Sequence, residues 1–576
     1  MRTVMTSPFQ LRLAACIGSA LVATSVHAQT ASDAERAADR IQREQQEQQR
    51  QQIEQQRRKL PAPKSSLNTL DSGASADNGG PCRDIHEVVI GSAPNLPAAD
   101  RAHLTKVYSG HCLKVHDIEQ LMSDITNSYI DRGYVTTRVY LPEQDLSGGR
   151  LSVMVVEGVI EKISLTGKGA DRISLGSAMP GVQGAPLNLR NLEQGLDQIN
   201  RLQSNHATLD IEPGAAVGTS RVVVRNESER AFHLGASVDS MGQDATGKNQ
   251  AGITTGFDSP LGFNDYVSAT YRQSLPLSGE RQSQLGSFVY LVPYGYTTTS
   301  LAYSRSDYVS FLQTQSGASL RADGNSEIAS ARFEDVVHRS RSNRVTLAAS
   351  LSTKSTHNYL ADQLLSVSSR DLTVADFSVN YTTGLLGGVV ALEGGYSRGL
   401  HAMGALNDPD LLAAEAPRAQ FRRFNYNASY SLPFRAVGLN ASFSSSVFGQ
   451  RAQTALYGSE QILVGGIYSV RGFDNTSLAG DNGFVWRNEL AVRQPLSFGP
   501  FLQAVVRPYI GLDYGRTRMR EDNTGTPEGA LSGGTLGFSL STGSVTVELF
   551  NSRPIHVPSF MTREGSQTYF RFSMSL

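Results

Sequence analysis

The sequence predicts a transmembrane antiparallel β-barrel of about 16 strands, preceded by an N-terminal α-helix and two small α/β domains. Three observations lead there. Past an amino-terminal leader, no apolar stretch approaches the roughly 18 to 20 residues that a spanning helix needs, so any membrane crossing falls to strands. From about Glu229 to Leu576, short segments alternate apolar with small or polar residues and are broken by Gly, Asn, Asp and Ser clusters. The 54 Gly, 21 Tyr and 22 Phe suit many turns and aromatic girdles, and a formal net charge of -1 gives no electrostatic case for nucleic acid as a partner.

Residues 1–28 read as a signal peptide. Arg2 and Arg12 flank a polar start, Leu13 to Val26 is apolar, and Val26-His27-Ala28 offers small residues at the cleavage positions, so the exported chain is expected to start at Gln29. Leu13-Ala14-Ala15-Cys16 has the look of an acylation site, but the apolar core follows Cys16 instead of preceding it, which favours export over lipidation. Export leaves Cys82 and Cys112 in an oxidising compartment. One disulfide is expected, closing a loop of about 30 residues and contributing roughly 3 kcal/mol to its domain; two buried free thiols are the alternative. His86, His111 and His116 are near, yet the paired short cysteine spacing of a structural zinc site is missing, so neither metal nor cofactor is expected.

Residues 29–60 form a polar helix in this reading, since Ala31 to Leu60 is rich in Glu, Gln, Arg and Ala with only sparse apolar side chains. Such a helix either stays solvated or occupies a wet polar surrounding such as a barrel lumen, where it would act as a plug; the solvated tail is slightly favoured. Residues 61–81 combine Pro, Ser, Gly, Asn and Asp without periodicity, the composition of a flexible linker.

Residues 82–158 and 159–228 repeat one pattern. In the first copy Ile85 to Ile90 is a strand, and Asp117 followed by Gln120 starts a helix with Ile118, Leu121, Met122, Ile125 and Tyr129 on one face. Gly133 ends it. Val135 to Leu141 and Arg150 to Val156 are paired strands around Ser147-Gly148-Gly149. In the second copy Ile160 to Leu165 is the strand, and Leu189, Leu192, Leu196 and Ile199 mark the helix. Thr208 to Glu212 and Arg221 to Arg225 then pair about the turn Pro213-Gly214.

The remaining 229–576 carries the barrel. Its last strand shows the alternation: Phe570, Phe572, Met574 and Leu576 point one way, Arg571, Ser573 and Ser575 the other. Apolar toward lipid and polar toward a wet lumen is what a spanning barrel requires, because closure alone pairs every backbone group in hydrocarbon. Connections are unequal: Val292-Pro293-Tyr294-Gly295 is a short turn, whereas about 450–482 is long. A soluble β-sandwich repeat is the alternative, but its inward positions would be richer in large apolar residues.

Specific phrases then carry a resemblance. Cys82, Tyr108-Ser109-Gly110-His111-Cys112-Leu113, Gly133-Tyr134-Val135-Thr136-Thr137-Arg138, Leu141-Pro142-Glu143-Gln144-Asp145-Leu146 and Val156-Glu157-Gly158 resemble the first POTRA domain of two-partner-secretion (TpsB) outer-membrane transporters of the haemolysin secretion/activation type. Leu187 to Arg190, Glu193-Gln194 and Asp197 to Leu202 resemble the second. The family and its barrel-assembly relatives carry a Val-Arg-Gly-Phe/Tyr motif on a loop folded into the pore, matched by Val470-Arg471-Gly472-Phe473, and a partner motif on a later strand, matched by Gly511-Leu512-Asp513. The chain departs from common barrel practice in ending on Leu576 rather than an aromatic residue.

The resemblance implies that Arg471 anchors the inward loop to Asp513, a pairing that suits the planar two-point geometry of guanidinium and carboxylate. It implies periplasmic POTRA domains that bind an unfolded β-helical client exoprotein, a barrel in outer-membrane lipid placed there by the barrel-assembly machinery, and export of the client through the pore. An insertase of the same superfamily is the alternative; two POTRA domains and a plug-like helix favour the transporter. No G-x-x-x-x-G-K-[ST], H-E-x-x-H or G-x-S-x-G occurs, so neither nucleotide hydrolysis nor a hydrolytic enzyme is expected.

Overall fold

The computed structural model describes residues 41, 43, 45–56, 81–313, 317–366, 368–498, 502–520 and 528–576. The expected leader, both ends of the polar helix and residues 61–80 of the expected linker lie outside these residues. The described part of the polar segment, within 41–56, is helical and is called α1.

In the first small domain, Glu87–Gly91 runs parallel to Arg150–Val156, which pairs antiparallel with Arg138–Tyr140. Helices α2 (Ala98–Tyr108) and α3 (Val115–Asp131) cover the sheet. Ile118, Leu121, Ile125 and Tyr129 of α3 are buried with Leu151, Val153 and Val155, and each such side chain contributes about 1.5 to 3 kcal/mol. The segment Ile85 to Ile90 is not one strand. His86 and Glu87 both donate their N–H to the Gly149 carbonyl, at 2.7 and 3.1 Å, and this bend sends Arg83–Ile85 to a separate pairing with His111–Leu113.

Three other local expectations need correction. Asp117 is the third residue of α3 instead of its cap: its Oδ2 accepts the Lys114 N–H at 2.8 Å, the reach-back half of a capping box. Only Arg138–Tyr140 of the stretch Val135 to Leu141 is regular strand, because the Thr137 N–H turns back to the Tyr134 carbonyl at 3.3 Å. Helix α2 is an addition. It buries only Leu104 and Tyr108, which leaves little amphipathic signal, and Pro97 sets its start.

The second domain pairs Val159–Lys168 parallel to Thr219–Glu227, which is antiparallel to Thr208–Pro213. Helix α4 (Leu175–Ala178) precedes α5 (Leu189–Asn200), where Leu189, Leu192 and Ile199 are buried. The Asn188 side chain caps α5 by accepting the Arg190 N–H at 2.9 Å.

Among the described residues, sixteen antiparallel strands from Phe232–Asp239 to Gln567–Ser575 close into a barrel, with the two-residue strand Gln363–Leu364 as a side pairing. Thr297–Gln313 shows the governing pattern: Thr298, Ser300, Ala302, Ser304 and Ser306 are buried inside while Leu301 and Tyr303 are exposed outside. A period of two puts one set of side chains toward lipid and the other toward the lumen. Strand Gln282–Tyr294 runs through Val292 and Pro293, so the short turn lies two residues later, at 295–296, where Gly295 has φ +56°. Short turns of this kind face the small domains; the longer connections, 453–481 above all, leave from the opposite end.

Candidate functional site: an occupied polar lumen

Two pieces of chain fill the lumen. The first is α1, which the sequence slightly favoured as a solvated tail. Its glutamines reach the small polar residues of the wall: Gln56 Nε2 donates to Thr270 Oγ1 at 2.6 Å and its Oε1 accepts from Ser287 at 3.3 Å. Gln49 Nε2 donates to the Ser326 carbonyl at 3.2 Å, and Gln45 Oε1 accepts from Ser306 at 3.4 Å. Ile53 is buried with Val289 and Ala302. A polar helix finds its place because strand alternation has already turned Ser and Thr inward.

The second piece is the connection 453–481. It folds inward as a small hairpin, Ile462–Val464 against Leu478–Gly480, whose tip carries Val470 to Phe473. Arg471 meets Asp513 through three hydrogen bonds: Nε to Oδ2 at 2.6 Å, Nη2 to Oδ1 at 2.9 Å and the backbone N–H to Oδ2 at 3.1 Å. Asp513 is fully buried and Arg471 nearly so. The Arg471 Nη1 also donates to Glu489 Oε2 at 3.3 Å, and Arg507 bonds the other Glu489 oxygen.

Glycines make the approach feasible. A Cβ on Gly511 would lie 2.3 Å from Arg471 Nη2, and one on Gly533 would lie 1.7 Å from the Arg471 carbonyl oxygen. Gly472 has φ +104° and faces the Arg553 backbone. Val470 and Phe473 are buried with Val464, Leu478, Val485 and Leu531, so an apolar wedge accompanies the ionic anchor. Thus all four residues of the pore-loop motif and both Gly511 and Asp513 come together in space.

Sequence reasoning missed Glu489 and Arg487. Both face Asp513's strand directly, as Glu489↔Gly511 and Arg487↔Asp513, and charged residues at alternate positions within a strand were the available signal. It also missed a second anchor at the start of the loop, where the fully buried Glu460 carboxylate accepts from Lys354 at 2.5 Å and pairs with Arg423 at 2.9 Å, while Arg423 donates to the Glu460 carbonyl at 2.7 Å. The neighbouring Gln461 Oε1 accepts from Arg43 of α1 at 3.4 Å, so α1 and the loop touch.

Below the lumen, α5 docks on the barrel. Arg339 Nη1 meets Asp197 Oδ2 at 2.7 Å and donates to Gln194 Oε1 at 2.9 Å, Gln198 Nε2 donates to the Gly295 carbonyl at 2.9 Å, and Arg201 donates to Thr298 Oγ1 at 3.1 Å. Burial pushes the Asp197 carboxyl up against the opposing pull of Arg339, and burial brings the Arg201 guanidinium down to about 10. In the first domain Cys82 and Cys112 are disulfide-bonded, 30 residues apart, beside the Arg83–Ile85 pairing. No group of three or more His, Cys, Asp or Glu among the described residues could hold a metal.

Comparison with known proteins agrees with this architecture. The model of the haemolysin secretion/activation protein family (ShlB/FhaC/HecB) matches residues 218–540, a ShlB-type POTRA domain matches 84–158, and a POTRA domain matches 159–213. The chain is 32% identical to the outer membrane transporter CdiB of Dickeya dadantii over 88% of its length and 89% of that protein. It is 31% identical to the hemolysin transporter protein ShlB of Serratia marcescens, over 79% of this chain and 80% of the other. The solved structure of CdiB from Escherichia coli superposes with a TM-score of 0.84 at 31% identity, covering 93% of this chain and 98% of that one.

Proposed function

Because the chain belongs to the haemolysin secretion/activation protein family of ShlB, FhaC and HecB, we propose that it binds a client exoprotein through its POTRA domains and exports it unfolded through the barrel. Members of this family are outer-membrane transporters of two-partner secretion, not enzymes, with the barrel in the outer membrane and the POTRA domains in the periplasm. The observation that carries the finer reading is the filling of the lumen by two separable pieces of chain on a Ser- and Thr-lined wall.

Under this reading α1 is a removable plug. Leaving the lumen exposes the α1 glutamines to water, which offsets the loss of bonds worth about 1 kcal/mol each net. The exposed edge Arg138–Tyr140, with Tyr140 and Leu141 open to solvent, offers an extended client a strand to pair with. Energy for transport then comes from the client folding outside, with no nucleotide hydrolysed.

The test is export of a large exoprotein, encoded beside this chain and bearing an amino-terminal secretion domain, by cells with and without it. Client in the medium only when the chain is present supports the reading; equal release without it contradicts it. Binding of that amino-terminal domain to the full detergent-solubilised chain, lost when Tyr140 is replaced by Asp, tests the receptor edge.

A further inference from the structure

The barrel closes on a short seam. Strands Phe232–Asp239 and Gln567–Ser575 pair from Gly235↔Ser575 to Asp239↔Arg571, with one further hydrogen-bonded position at each end. By contrast, Thr297–Gln313 pairs with Ser319–Arg339 along its whole length, from Thr297↔Asp335 to Gln313↔Ser319. Fewer ladder bonds hold the seam than any other join between main strands among the described residues.

Directly above this seam the inward loop makes a turn that the export reading does not use. Glu564, in the connection leading into the last strand, accepts the backbone N–H groups of Asp474 at 2.9 Å, Asn475 at 3.1 Å and Thr476 at 2.8 Å, together with the Thr476 hydroxyl at 2.5 Å. One carboxylate thus collects three successive amides, a concave anion-binding arrangement in which ionised acceptors bond strongly.

The other flank is held from the connection that follows the first strand. Lys248 Nζ meets the mostly buried Asp474 Oδ2 at 3.0 Å, and Asn475 Nδ2 donates to Asp244 Oδ2 at 3.1 Å. Lys248 also reaches Gln567 Oε1 at 3.4 Å, at the head of the last strand. The two connections that grip the turn are therefore the ones on either side of the seam.

We propose that the Asp474–Thr476 turn is a staple across the barrel seam, with Glu564 and Lys248 as its positioning residues, so that the inward loop and the seam hold each other shut. Withdrawal of the turn removes the bridge that Glu564 and Asp474 make between the two connections, leaving the longer Lys248–Gln567 contact and the short ladder to hold the seam. Loop position and seam closure then form one two-state element, and any partner that moves the loop shifts both. The proposal rests on the loop's place in the lumen, and it stands independently of which client, if any, is exported.

The experiment measures ion current through the purified full-length chain in planar bilayers, without client. Glu564→Ala and Glu564→Gln are each compared with the wild type, and the folded barrel is verified by its heat-dependent gel shift. The Ser237→Cys/Ser573→Cys pair, at directly opposed seam positions whose spacing suits a disulfide, locks the seam in the same backgrounds. Expected is a several-fold rise in mean current for both Glu564 variants, reversed to the wild-type level by the oxidised lock. The Lys248→Glu variant is expected to leak likewise and to be rescued by Asp474→Lys in the same chain. Wild-type current in every Glu564 variant, or a leak that survives the locked seam, overturns the proposal, the second because it places the effect in the lumen alone. None of these outcomes depends on export, so failure here leaves the transporter reading untouched.

Discussion

The two occupants of the lumen are held in opposite ways. The loop tip is fixed by a buried guanidinium–carboxylate pair, an apolar wedge and glycines that clear the space around Arg471. Helix α1 instead rests on scattered glutamine contacts to Ser and Thr. An anchor of the first kind resists any change short of breaking the whole cluster, while the second kind can be exchanged for water piece by piece. The difference predicts that the loop is held more durably than the helix.

The largest expected effect is at Asp513. Asp513→Ala leaves the buried Arg471 only its 3.3 Å contact with Glu489, and removing one partner of a buried pair costs about 3 to 5 kcal/mol. The loop tip should become cleavable by trypsin at Arg471 in intact membranes, whereas continued resistance means the apolar wedge alone holds it. Gly511→Ala should act in the same direction more weakly, because the added methyl crowds the Arg471 guanidinium but leaves both partners of the ion pair in place.

For α1 the contrast predicts small, additive losses. Gln56→Ala should weaken occupancy of the lumen by about 1 kcal/mol, and Gln49→Ala by a similar amount. Spin-label distances between α1 and the wall check this; a loss as abrupt as that at Asp513 would erase the distinction between the two occupants. The smallest effect lies outside the lumen and serves as a control. Hydrogen bonds from the Ala215 N–H and then the Thr219 hydroxyl hold the Glu161 carboxyl below its ordinary range. A depressed folded-state pKa contributes stability above the unfolded value and loses it as pH falls through the folded one. Thermal scans of the full chain should therefore show slightly less acid sensitivity in Glu161→Gln, with the loop and α1 unaffected.

The barrel was legible because alternation has a period of two that no helix shares, and Thr297–Gln313 follows it from Thr298 to Ser310. The Arg471 and Asp513 encounter was legible only through the family resemblance, since the two lie 42 residues apart with nothing local to join them. Helix α1 was readable as a helix, but its place in the lumen stayed open between a plug and a solvated tail, because its surroundings are decided by Ser and Thr on strands far along the chain. Helix α2 escaped because two buried residues make no stripe. Glu564 escaped for a deeper reason, in that its partners are backbone amides, and amides leave no mark in a sequence.

The central claim is that the anchored loop shapes a protein-conducting lumen. It is tested most directly by measuring client released into the medium per inserted barrel for Arg471→Ala and Asp513→Ala. The account predicts that release falls severely in both while the amount of folded barrel in the outer membrane stays at the wild-type level. Normal release by both variants would contradict it.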